Sequence, residues 1–357
     1  MNKLFLGDAF EILPTLKDKS VDLIFVDPPY FMQTDGELIR VEGKKFDGIN
    51  EKWDKFDSFC EYDEFSINYL KECKRILKDN GSIWVIGSFQ NIYRIGKIMQ
   101  DLGFWIINDI IWKKTNPTPN FKGTRFTNSH ETLLWCVKDK NAKYTFNYKT
   151  MKHLNGGKQM GSVWEIPVCS GSERIKINGK KAHPTQKPQK LLYNIILATS
   201  KIDDVVLDPF MGVGTTPAVA KMLGRRYIGI EKEEKYFNLA KKRVEEINFI
   251  DSPLHRNVLD IKPPKVDIKD MIKKGYFKPK EKFFSKDSIF NYELNEDGKL
   301  ESLSIHKMAA KVLNKINHNG WDFWYVLRDG ELKSINEIRK EYWEKELNYQ
   351  EVAIWGY

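Results

Sequence analysis

An acid, two prolines and a tyrosine follow a run of apolar residues in VDLIFVDPPY, at positions 21–30 of this 357-residue chain. The apolar run predicts a strand buried on both faces of a sheet, and such sheets bind ligands at the carboxyl ends of their strands. Because proline has no N–H, the backbone at Asp27, Pro28 and Pro29 presents carbonyl acceptors, and Asp27 adds a carboxylate. Such a site suits a ligand with two donors on one atom, which is an amine or an amide NH2.

The exocyclic amine of adenine meets this requirement. Its lone pair is delocalised into the ring, and two acceptors that hold its hydrogens favour a pyramidal nitrogen with a free lone pair. The same acceptors stabilise the positive charge that develops as a bond forms. Tyr30 then offers a flat face to the base, where stacking contributes about 1–3 kcal/mol, once the base has been flipped out of a duplex. The alternative for D-P-P-Y alone is a strand-ending turn with a capping acid and a core tyrosine.

A second motif is DPFMGVGTTPAVA at 208–220, which follows an apolar strand and opens a helix. Small residues such as Gly212 and Gly214 let the backbone approach a ligand closely, although the spacing is neither G-x-G-x-x-G nor a phosphate-binding P-loop. Glu231 ends the next strand, and an acid there can accept both hydroxyls of a ribose. The motif predicts an adenosine-containing cofactor, and its alternative is a tight strand–helix turn with a surface glutamate.

Strands that alternate with helices over the first 250 residues indicate an α/β fold with a mainly parallel sheet. Predicted strands cover 4–8, 21–27, 82–88, 104–114 and 131–138, and predicted helices cover 9–16, about 60–78 with a stop at Asn80-Gly81, and 92–103.

The strand–helix pattern restarts at residue 201. If 205–247 supplies the first two βα units of a nucleotide-binding half, the third and fourth strands are 4–8 and 21–27, from the opposite end of the chain. Asp8 then ends the third strand, where the adenine amine of a cofactor would be met. The predicted sheet is therefore a circularly permuted, Rossmann-like one.

Charge and cysteine usage narrow the class of protein. The chain carries 58 Lys and Arg against 49 Asp and Glu, a net charge of +9, which suits a polyanion such as nucleic acid or else a lysine-rich surface. The four cysteines are scattered without a C-x-x-C, which argues against a disulfide framework and a metal site and suits a reducing compartment. No apolar run approaches the roughly 20 residues that span a bilayer. We therefore expect a cytoplasmic, nucleoid-associated protein without a membrane partner.

Three segments are predicted along the chain. Residues 1–250 form the catalytic domain, and the proline-containing stretch 251–264 is a linker. Residues 265–357 form a small α+β module, rich in lysine and aromatic residues, that suits nucleic acid or serves as a dimerisation or stabilising appendage. The pattern rests on Lys273, Lys274, Lys278, Lys280, Lys282 and Lys286 among Phe277, Phe283 and Phe284.

The motifs together resemble those of a known family. DPPY at 27–30, followed by DPFMGVGTT at 208–216, is similar to the S-adenosylmethionine-dependent amino-methyltransferases of DNA in the order of their β class. HPTQKP at 183–188 looks like the segment of that class that contacts the methionine end of the cofactor. Longer stretches, including NPTPNFKGTRF and HETLLW, resemble the cell-cycle-regulated and HinfI-type adenine-N6 methyltransferases, whose target is GANTC, over almost the full length.

The resemblance implies transfer of a methyl group from S-adenosylmethionine to N6 of adenine in double-stranded DNA. It implies that Asp27 and the Pro28 carbonyl hold the amine, that Tyr30 stacks, that Asp8 meets the cofactor adenine and that Lys187 meets its carboxylate. The implied catalytic residues are Asp27, Pro28, Pro29 and Tyr30, and the implied cofactor site comprises Asp8, Thr185, Gln186, Lys187, Asp208, Pro209, Phe210, Gly212, Gly214, Thr215 and Glu231.

Two loops are candidates for DNA recognition. Residues 113–126 begin with Lys113 and Lys114 on a proline-broken loop, and 31–58 form a long insertion after the catalytic strand. Arginine and asparagine can pair with base edges, whereas lysine mainly meets phosphates. Both loops could equally be solvated surface excursions. The candidate DNA contacts are Arg40, Lys45, Trp53, Asn116, Asn120, Lys122 and Arg125.

Several partners and activities stay open at this stage. A palindromic target suits a homodimer, and a restriction nuclease that acts on the same site is a possible partner. The nearest alternative activity is cytosine-N4 methylation, although such enzymes more often carry serine in place of Asp27. A nicotinamide oxidoreductase would share Glu231 and the glycines but has no use for D-P-P-Y. A non-catalytic DNA-binding protein would have no need of Asp27.

Overall fold

The computed structural model describes residues 2–31, 38–39, 45–46, 54–120 and 123–349. The chain divides into two compact units, Met1–Asp260 and Ile261–Tyr357. None of the helices in the described ranges has the length and apolar character that crossing a membrane requires.

The larger unit is built on an eight-stranded sheet with the order β1-β12-β11-β2-β5-β7-β6-β8. Its strands in chain order are β1 Lys3–Leu6, β2 Val21–Val26, β3 Leu38–Ile39, β4 Lys45–Phe46, β5 Leu77–Gly87, β6 Trp105–Lys114, β7 His130–Val137, β8 Val163–Ile166, β9 Lys176–Ile177, β10 Lys180–Lys181, β11 Val205–Asp208 and β12 Arg226–Glu231, of which β3–β4 and β9–β10 form separate two-stranded pairs.

Helices cover both faces of this sheet. Alternate residues of β2 enter two different cores, with Ile24 and Val26 in one and Leu23 and Phe25 in the other, as expected of a strand buried on both faces. The helices are α1 Ala9–Ile12, α2 Phe59–Ile76, α3 Ile92–Asp101, α4 Tyr148–Leu154, α5 Gln189–Thr199, α6 Thr215–Met222 and α7 Glu234–Glu246, with 3-10 turns at Leu13–Thr15 and Val258–Asp260.

The strand order confirms the permuted α/β fold. β11 lies between β12 and β2, and β1 pairs with β12, all in parallel. Strands from the two ends of the larger unit therefore lie side by side, which brings the residues after β2 next to those after β11. The sheet is parallel from β1 to β5 and then mixed, because β7 runs antiparallel to both β5 and β6.

One predicted helix end is wrong. Helix α2 stops at Ile76, and Asn80-Gly81 lie inside β5, at an irregularity in its pairing with β2. A Cβ on Gly81 would lie 2.9 Å from the carbonyl oxygen of Asp22 and 2.6 Å from Leu77 Cδ1. Gly81 therefore allows β2 and β5 to approach closely, and it does not end the helix.

Part of the predicted linker packs onto the larger unit. Arg225, which is 2% exposed, donates to the His255 carbonyl and to Asn257 Oδ1. The Asp260 carboxylate accepts the N–H groups of Lys149 at 2.8 Å and Thr150 at 2.9 Å, at the start of α4. These bonds explain why the boundary falls after Asp260 and not at residue 251.

The smaller unit has an antiparallel sheet of order β14-β13-β15-β16 and its own core. Phe277 and Phe283 are buried in that core, so these two aromatics are not available as a surface for nucleic acid. Its elements are α8 Ile268–Lys273, β13 Lys282–Ser285, β14 Asn291–Glu293, α9 Ile305–Val312, α10 Gly320–Phe323, β15 Trp324–Arg328, β16 Glu331–Ser334 and α11 Ile335–Leu347.

Candidate active site

A cavity of about 260 Å3 opens at the carboxyl edge of the parallel strands. It is lined by the turn after β2, the loop after β11, the segment before α5 and the ends of β1 and β12. The predicted catalytic and cofactor residues that line it are Asp8, Asp27, Pro28, Pro29, Tyr30, Thr185, Gln186, Lys187, Asp208, Pro209, Phe210, Gly212, Thr215 and Glu231.

Asp27 forms an ion pair in the cavity wall. Its carboxylate lies 2.8 Å from Lys187 Nζ, and the side chains are 18% and 7% exposed. Burial raises the pKa of Asp27, although the Lys187 ammonium opposes that rise. Burial also opposes charge on Lys187, but Asp27 and Glu131 outweigh it and raise the pKa of Lys187. Lys187 thus stands beside the predicted reacting group, and its expected role at the cofactor carboxylate stays a prediction.

Glu131, near the start of β7, joins this pair to a second lysine. It accepts a hydrogen bond from the Tyr30 hydroxyl at 2.9 Å and pairs with Lys114 Nζ at 2.8 Å. Burial opposes the charge on Glu131, but Lys187 and Lys114 outweigh it and lower the pKa of the carboxyl. Lys114, expected to face DNA, is only 12% exposed and is paired with Glu131.

The backbone of the catalytic turn is held by Asp54. Its Oδ1 accepts the N–H groups of Tyr30 at 2.6 Å and Phe31 at 2.8 Å. Phe31 has φ of 51°, in the left-handed region that non-glycine residues rarely adopt. Two hydrogen bonds to one buried carboxylate therefore stabilise a strained turn directly after Tyr30.

The two proline carbonyls differ in their partners. Tyr62 Oη donates to the Pro29 carbonyl at 2.8 Å, and Asn91 Nδ2 donates to Tyr62 Oη at 3.0 Å. Within the described part of the chain, no group donates a hydrogen bond to the Pro28 carbonyl. Pro28 therefore retains an acceptor next to the Asp27 carboxylate.

The glycine loop has two left-handed positions with different uses. Gly212 has φ of 53° and lines the cavity, and a Cβ there would lie 3.4 Å from His183 Nε2. Gly214 has φ of 75° and does not line the cavity, and a Cβ there would lie 2.8 Å from Ala240 Cβ in α7. The second glycine, predicted to line the cofactor site, instead permits α6 and α7 to pack closely.

Two buried carboxylates end the strands beside this loop. Asp208 accepts hydrogen bonds from the Phe210 N–H at 3.0 Å and Thr216 Oγ1 at 2.5 Å, and burial raises its pKa to about 7. Glu231 accepts the Glu233 N–H at 2.8 Å, and burial raises its pKa to about 7. Both can accept further donors from a ligand.

Asp8 is already engaged at the end of β1. Its carboxylate accepts the Phe10 N–H at 2.9 Å, which caps α1, and pairs with Lys232 Nζ at 2.8 Å. Burial opposes the charge on Asp8, but the hydrogen bond from Lys232 outweighs it and lowers the pKa. Lys232 is 70% exposed, so the ion pair is open to exchange with a ligand.

Side-chain hydrogen bonds position the HPTQKP segment, including those from Arg174 to the carbonyls of His183 and Pro184. Gln186 accepts the Ile175 N–H at 3.0 Å and donates to the Glu173 carbonyl at 2.9 Å, so both ends of its amide are used. Burial lowers the pKa of His183 to about 3, so the ring is neutral at physiological pH. Thr185 donates its N–H to His183 Nδ1 at 3.2 Å. Gln186 thus braces the segment, and its predicted contact with the cofactor stays a prediction.

Of the predicted DNA-facing residues, Asn116, Asn120 and Arg125 are described with their side chains, and these three do not line the cavity. Asn116 accepts the Val168 N–H at 2.7 Å, and Asn120 donates to the Arg125 carbonyl at 2.8 Å, so both brace their loop. The Arg125 guanidinium lies 5.5 Å from the centroid of Phe89. Arg40, Trp53 and Lys122 lie outside the described residues, and Lys45 is described only as part of the backbone of β4.

Sequence reasoning missed three residues of the site. Glu131 is the second residue of HETLLW, and an acid at the start of an apolar strand was the available signal. Asp54 follows a long insertion, and no local pattern connects it to Tyr30. The resemblance places His183 in the HPTQKP segment but assigns it no role of its own. In the described ranges, His, Cys, Asp and Glu form no cluster of three or more that could hold a metal ion.

The cavity fits the predicted cofactor. Carboxylates at the ends of β11 and β12 are acceptors for hydroxyl donors, Phe210 offers a ring, and Lys187 supplies a cation for a carboxylate. The positive φ of Gly212 lets the backbone border the cavity without a side chain. An adenosine with an amino-acid end suits this set of donors and acceptors.

Comparison with known proteins agrees with this geometry. Residues 21–242 match the DNA methylase family, and residues 252–348 match the family described as Restriction Enzyme Adenine Methylase Associated. The chain is 56% identical over 347 residues to the Type II methyltransferase M.HinfI of Haemophilus influenzae, which covers 96% of this chain and 97% of that one. It is 46% identical over 250 residues to the Type II methyltransferase M2.DpnII of Streptococcus pneumoniae, which covers 69% of this chain and 91% of that one.

A solved structure shares the fold and carries the cofactor. The crystal structure of the M1.HpyAVI–SAM complex matches with a TM-score of 0.51 at 31% identity, and the match covers 68% of this chain and 99% of that one. The family and the cofactor predicted from the motifs are thereby confirmed. The chain belongs to the DNA methylase family, and it is a site-specific DNA methyltransferase that uses S-adenosylmethionine.

Proposed function

We propose that this enzyme methylates N6 of an adenine in double-stranded DNA, within the sequence GANTC. The observation that carries the proposal is the acceptor pair formed by Asp27 and the open Pro28 carbonyl beside the Tyr30 ring, all of which line one cavity. The match of residues 252–348 to an adenine methylase-associated family supports adenine as the base. The resemblance to HinfI-type enzymes over almost the whole chain supports GANTC as the target.

The residues of the turn prepare the amine for attack. The Asp27 carboxylate and the Pro28 carbonyl each accept one hydrogen of N6, which frees the nitrogen lone pair and stabilises the charge that forms on it. Tyr30 stacks on the base, which must leave the duplex to enter the cavity. Pro29 keeps a competing N–H out of the turn. Bound S-adenosylmethionine supplies the activated methyl group.

The remaining cavity residues hold the cofactor. Glu231 accepts the ribose hydroxyls, Asp8 meets the adenine amine, and Lys187 binds the carboxylate at the methionine end. For Lys187 this means a shift from Asp27 towards the cofactor, which would free the Asp27 acceptor. The rest of the proposed cofactor site consists of Thr185, Gln186, Asp208, Pro209, Phe210, Gly212 and Thr215, with Gly214 acting through the packing of α6.

DNA is proposed to contact the loops beside the cavity and the smaller unit. Basic and amide side chains suit phosphates and base edges. A symmetric target favours a homodimer on DNA, which sedimentation with and without a GANTC duplex would test, and a nuclease that recognises the same site would be a partner. The proposed DNA contacts are Arg40, Lys45, Trp53, Asn116, Asn120, Lys122 and Arg125.

The test is to incubate the protein with methyl-labelled S-adenosylmethionine and two duplexes that differ only in whether they contain GANTC. The labelled nucleoside is then identified, with Asp27→Ala as the inactive control. We expect label on N6-methyl-2′-deoxyadenosine, only in the GANTC duplex, and none with the variant. Label on cytosine would overturn the base, and equal label in both duplexes would overturn the target. Undiminished activity of the variant would overturn the role of Asp27.

A further inference from the structure

A buried, charge-balanced cluster includes three residues of the cavity lining, Asp27, Tyr30 and Lys187. It consists of two lysines, two carboxylates and the Tyr30 hydroxyl, contributed by separate segments of the sheet edge. Lys187 pairs with Asp27 at 2.8 Å, Lys114 pairs with Glu131 at 2.8 Å, and Lys187 lies 4.0 Å from Glu131. Of the four charged residues, Asp27 and Lys187 have roles in the proposed chemistry. The function of Glu131 is not accounted for by that chemistry.

Glu131 touches the catalytic turn at one point, which is the hydroxyl of Tyr30. The 2.9 Å bond ends on Oε2, while Oε1 pairs with Lys114. Burial raises the pKa of the Tyr30 hydroxyl well above its ordinary value, so the hydroxyl stays protonated and donates. The bond is therefore a charge-assisted one between a fixed carboxylate and the far end of the ring.

Tyr30 is held in three ways. Asp54 binds its N–H at 2.6 Å, Glu131 binds its hydroxyl, and Lys187 Nζ lies 5.1 Å from the ring centroid on one face. The ring also borders the cavity, which is where a ligand would reach it. A tyrosine fixed at both ends loses no rotamer freedom when a base stacks on it, which lowers the cost of binding.

We propose that Glu131 is a positioning residue for methyl transfer, because it fixes the Tyr30 ring in the orientation that receives the base turned out of the duplex. The inference rests on the proposed stacking role of Tyr30. A competing explanation is that Glu131 only neutralises Lys114. The two explanations differ in whether the effect of removing Glu131 depends on the Tyr30 hydroxyl.

The experiment is a double-mutant cycle of Tyr30→Phe and Glu131→Ala, which removes each end of the bond. One readout is kcat/KM on a GANTC duplex. The other is the emission of 2-aminopurine at the target position in the presence of bound enzyme, because stacking on an aromatic ring quenches that base. The matched control is Glu165→Gln, because Glu165 on β8 forms a solvent-exposed ion pair at 2.7 Å with Lys113, the neighbour of Lys114 on β6.

Each single change should lower kcat/KM about tenfold, the usual order for losing a hydrogen bond to a charged group. Both should raise 2-aminopurine emission towards that of Tyr30→Ala. The double variant should lose no more than either single one. Glu165→Gln should match the wild type in both readouts.

Additive losses in the double variant, about a hundredfold in all, would overturn the proposal in favour of the neutralising role. Unchanged emission in Glu131→Ala would overturn it too. Because Glu131→Ala removes the ion-pair partner of the buried Lys114 and can unfold the protein, the cycle is repeated with Glu131→Gln, which keeps the shape of the side chain. Failure of the proposed function would be seen in the wild type itself, as label on another base, whereas failure of this inference would be confined to the variants.

Discussion

At the scale of single residues, the turn after β2 has its polar atoms arranged before any substrate binds. Asp54, Tyr62 and Glu131 engage the backbone and the hydroxyl of the turn, and Lys187 pairs with Asp27. The Pro28 carbonyl has no donor among the groups that the structure describes. In the proposed mechanism Lys187 leaves Asp27 for the cofactor, and the other polar atoms of the turn are already fixed when charge develops on the substrate, which is how such sites lower a barrier.

The raised pKa of Glu231 predicts how stability depends on pH. The pKa is about 7 in the folded protein, against 4.5 for an ordinary glutamate, so the folded state binds the proton more tightly. The contribution is fully present below about pH 4.5 and is lost as the pH rises through 7. We expect the free energy of unfolding of the wild type, relative to Glu231→Gln, to fall between pH 5 and pH 8. Urea unfolding at several pH values measures this, and a flat difference would contradict the predicted burial of the charge.

At the scale of elements, the sequence predicts what local pattern encodes. The apolar runs predict β2, β11 and β12. The restart of the strand–helix pattern at residue 201 predicts the permuted strand order, because parallel strands must bring their ends to one edge. The roles of Asp54 and Glu131 were not predicted, because both residues bind atoms of Tyr30, which is distant along the chain. Side-chain contacts of that kind leave no local pattern in the sequence. Asn116 was expected to read DNA, yet it satisfies a backbone N–H of a neighbouring segment.

The packing of α6 against α7 gives a prediction about Gly214. Alanine at this position would hold a left-handed backbone conformation, which costs about 1–2 kcal/mol. Its Cβ would lie 2.8 Å from Ala240 Cβ. Gly212→Ala, at φ of 53°, has the same backbone cost, but the atom nearest to its Cβ would be His183 Nε2, at 3.4 Å. We expect Gly214→Ala to lower the free energy of unfolding more than Gly212→Ala. Ala240→Gly should restore part of the free energy of unfolding that Gly214→Ala loses, and none of what Gly212→Ala loses. Urea unfolding of the two double variants measures that coupling. Equal recovery for both glycines would exclude the contact as the cause.

At the scale of the whole molecule, every described residue that lines the cavity belongs to the larger unit. Residues from both ends of that unit line it, from Gly7 to Tyr236, and its two cores lie within the same unit. The smaller unit has a separate core built around Trp324 and Trp343. M2.DpnII of Streptococcus pneumoniae is matched over 91% of its length by 250 residues of this chain. Part of this chain therefore has no aligned counterpart in that methyltransferase.

This division predicts that a fragment of residues 1–260 separates the two kinds of binding. The fragment keeps every described residue of the cavity and the Asp260 bonds to α4, so it should bind S-adenosylmethionine with the affinity of the full chain. If the smaller unit contacts phosphates, the fragment should bind a GANTC duplex more weakly, and the slope of log Kd against log salt concentration should become shallower, because fewer counterions are released. Calorimetry with the cofactor and anisotropy with labelled DNA at several salt concentrations make the comparison. An unchanged salt slope would assign the smaller unit to assembly or stability and not to DNA, whereas loss of cofactor binding would show that the larger unit needs the smaller one to hold its site.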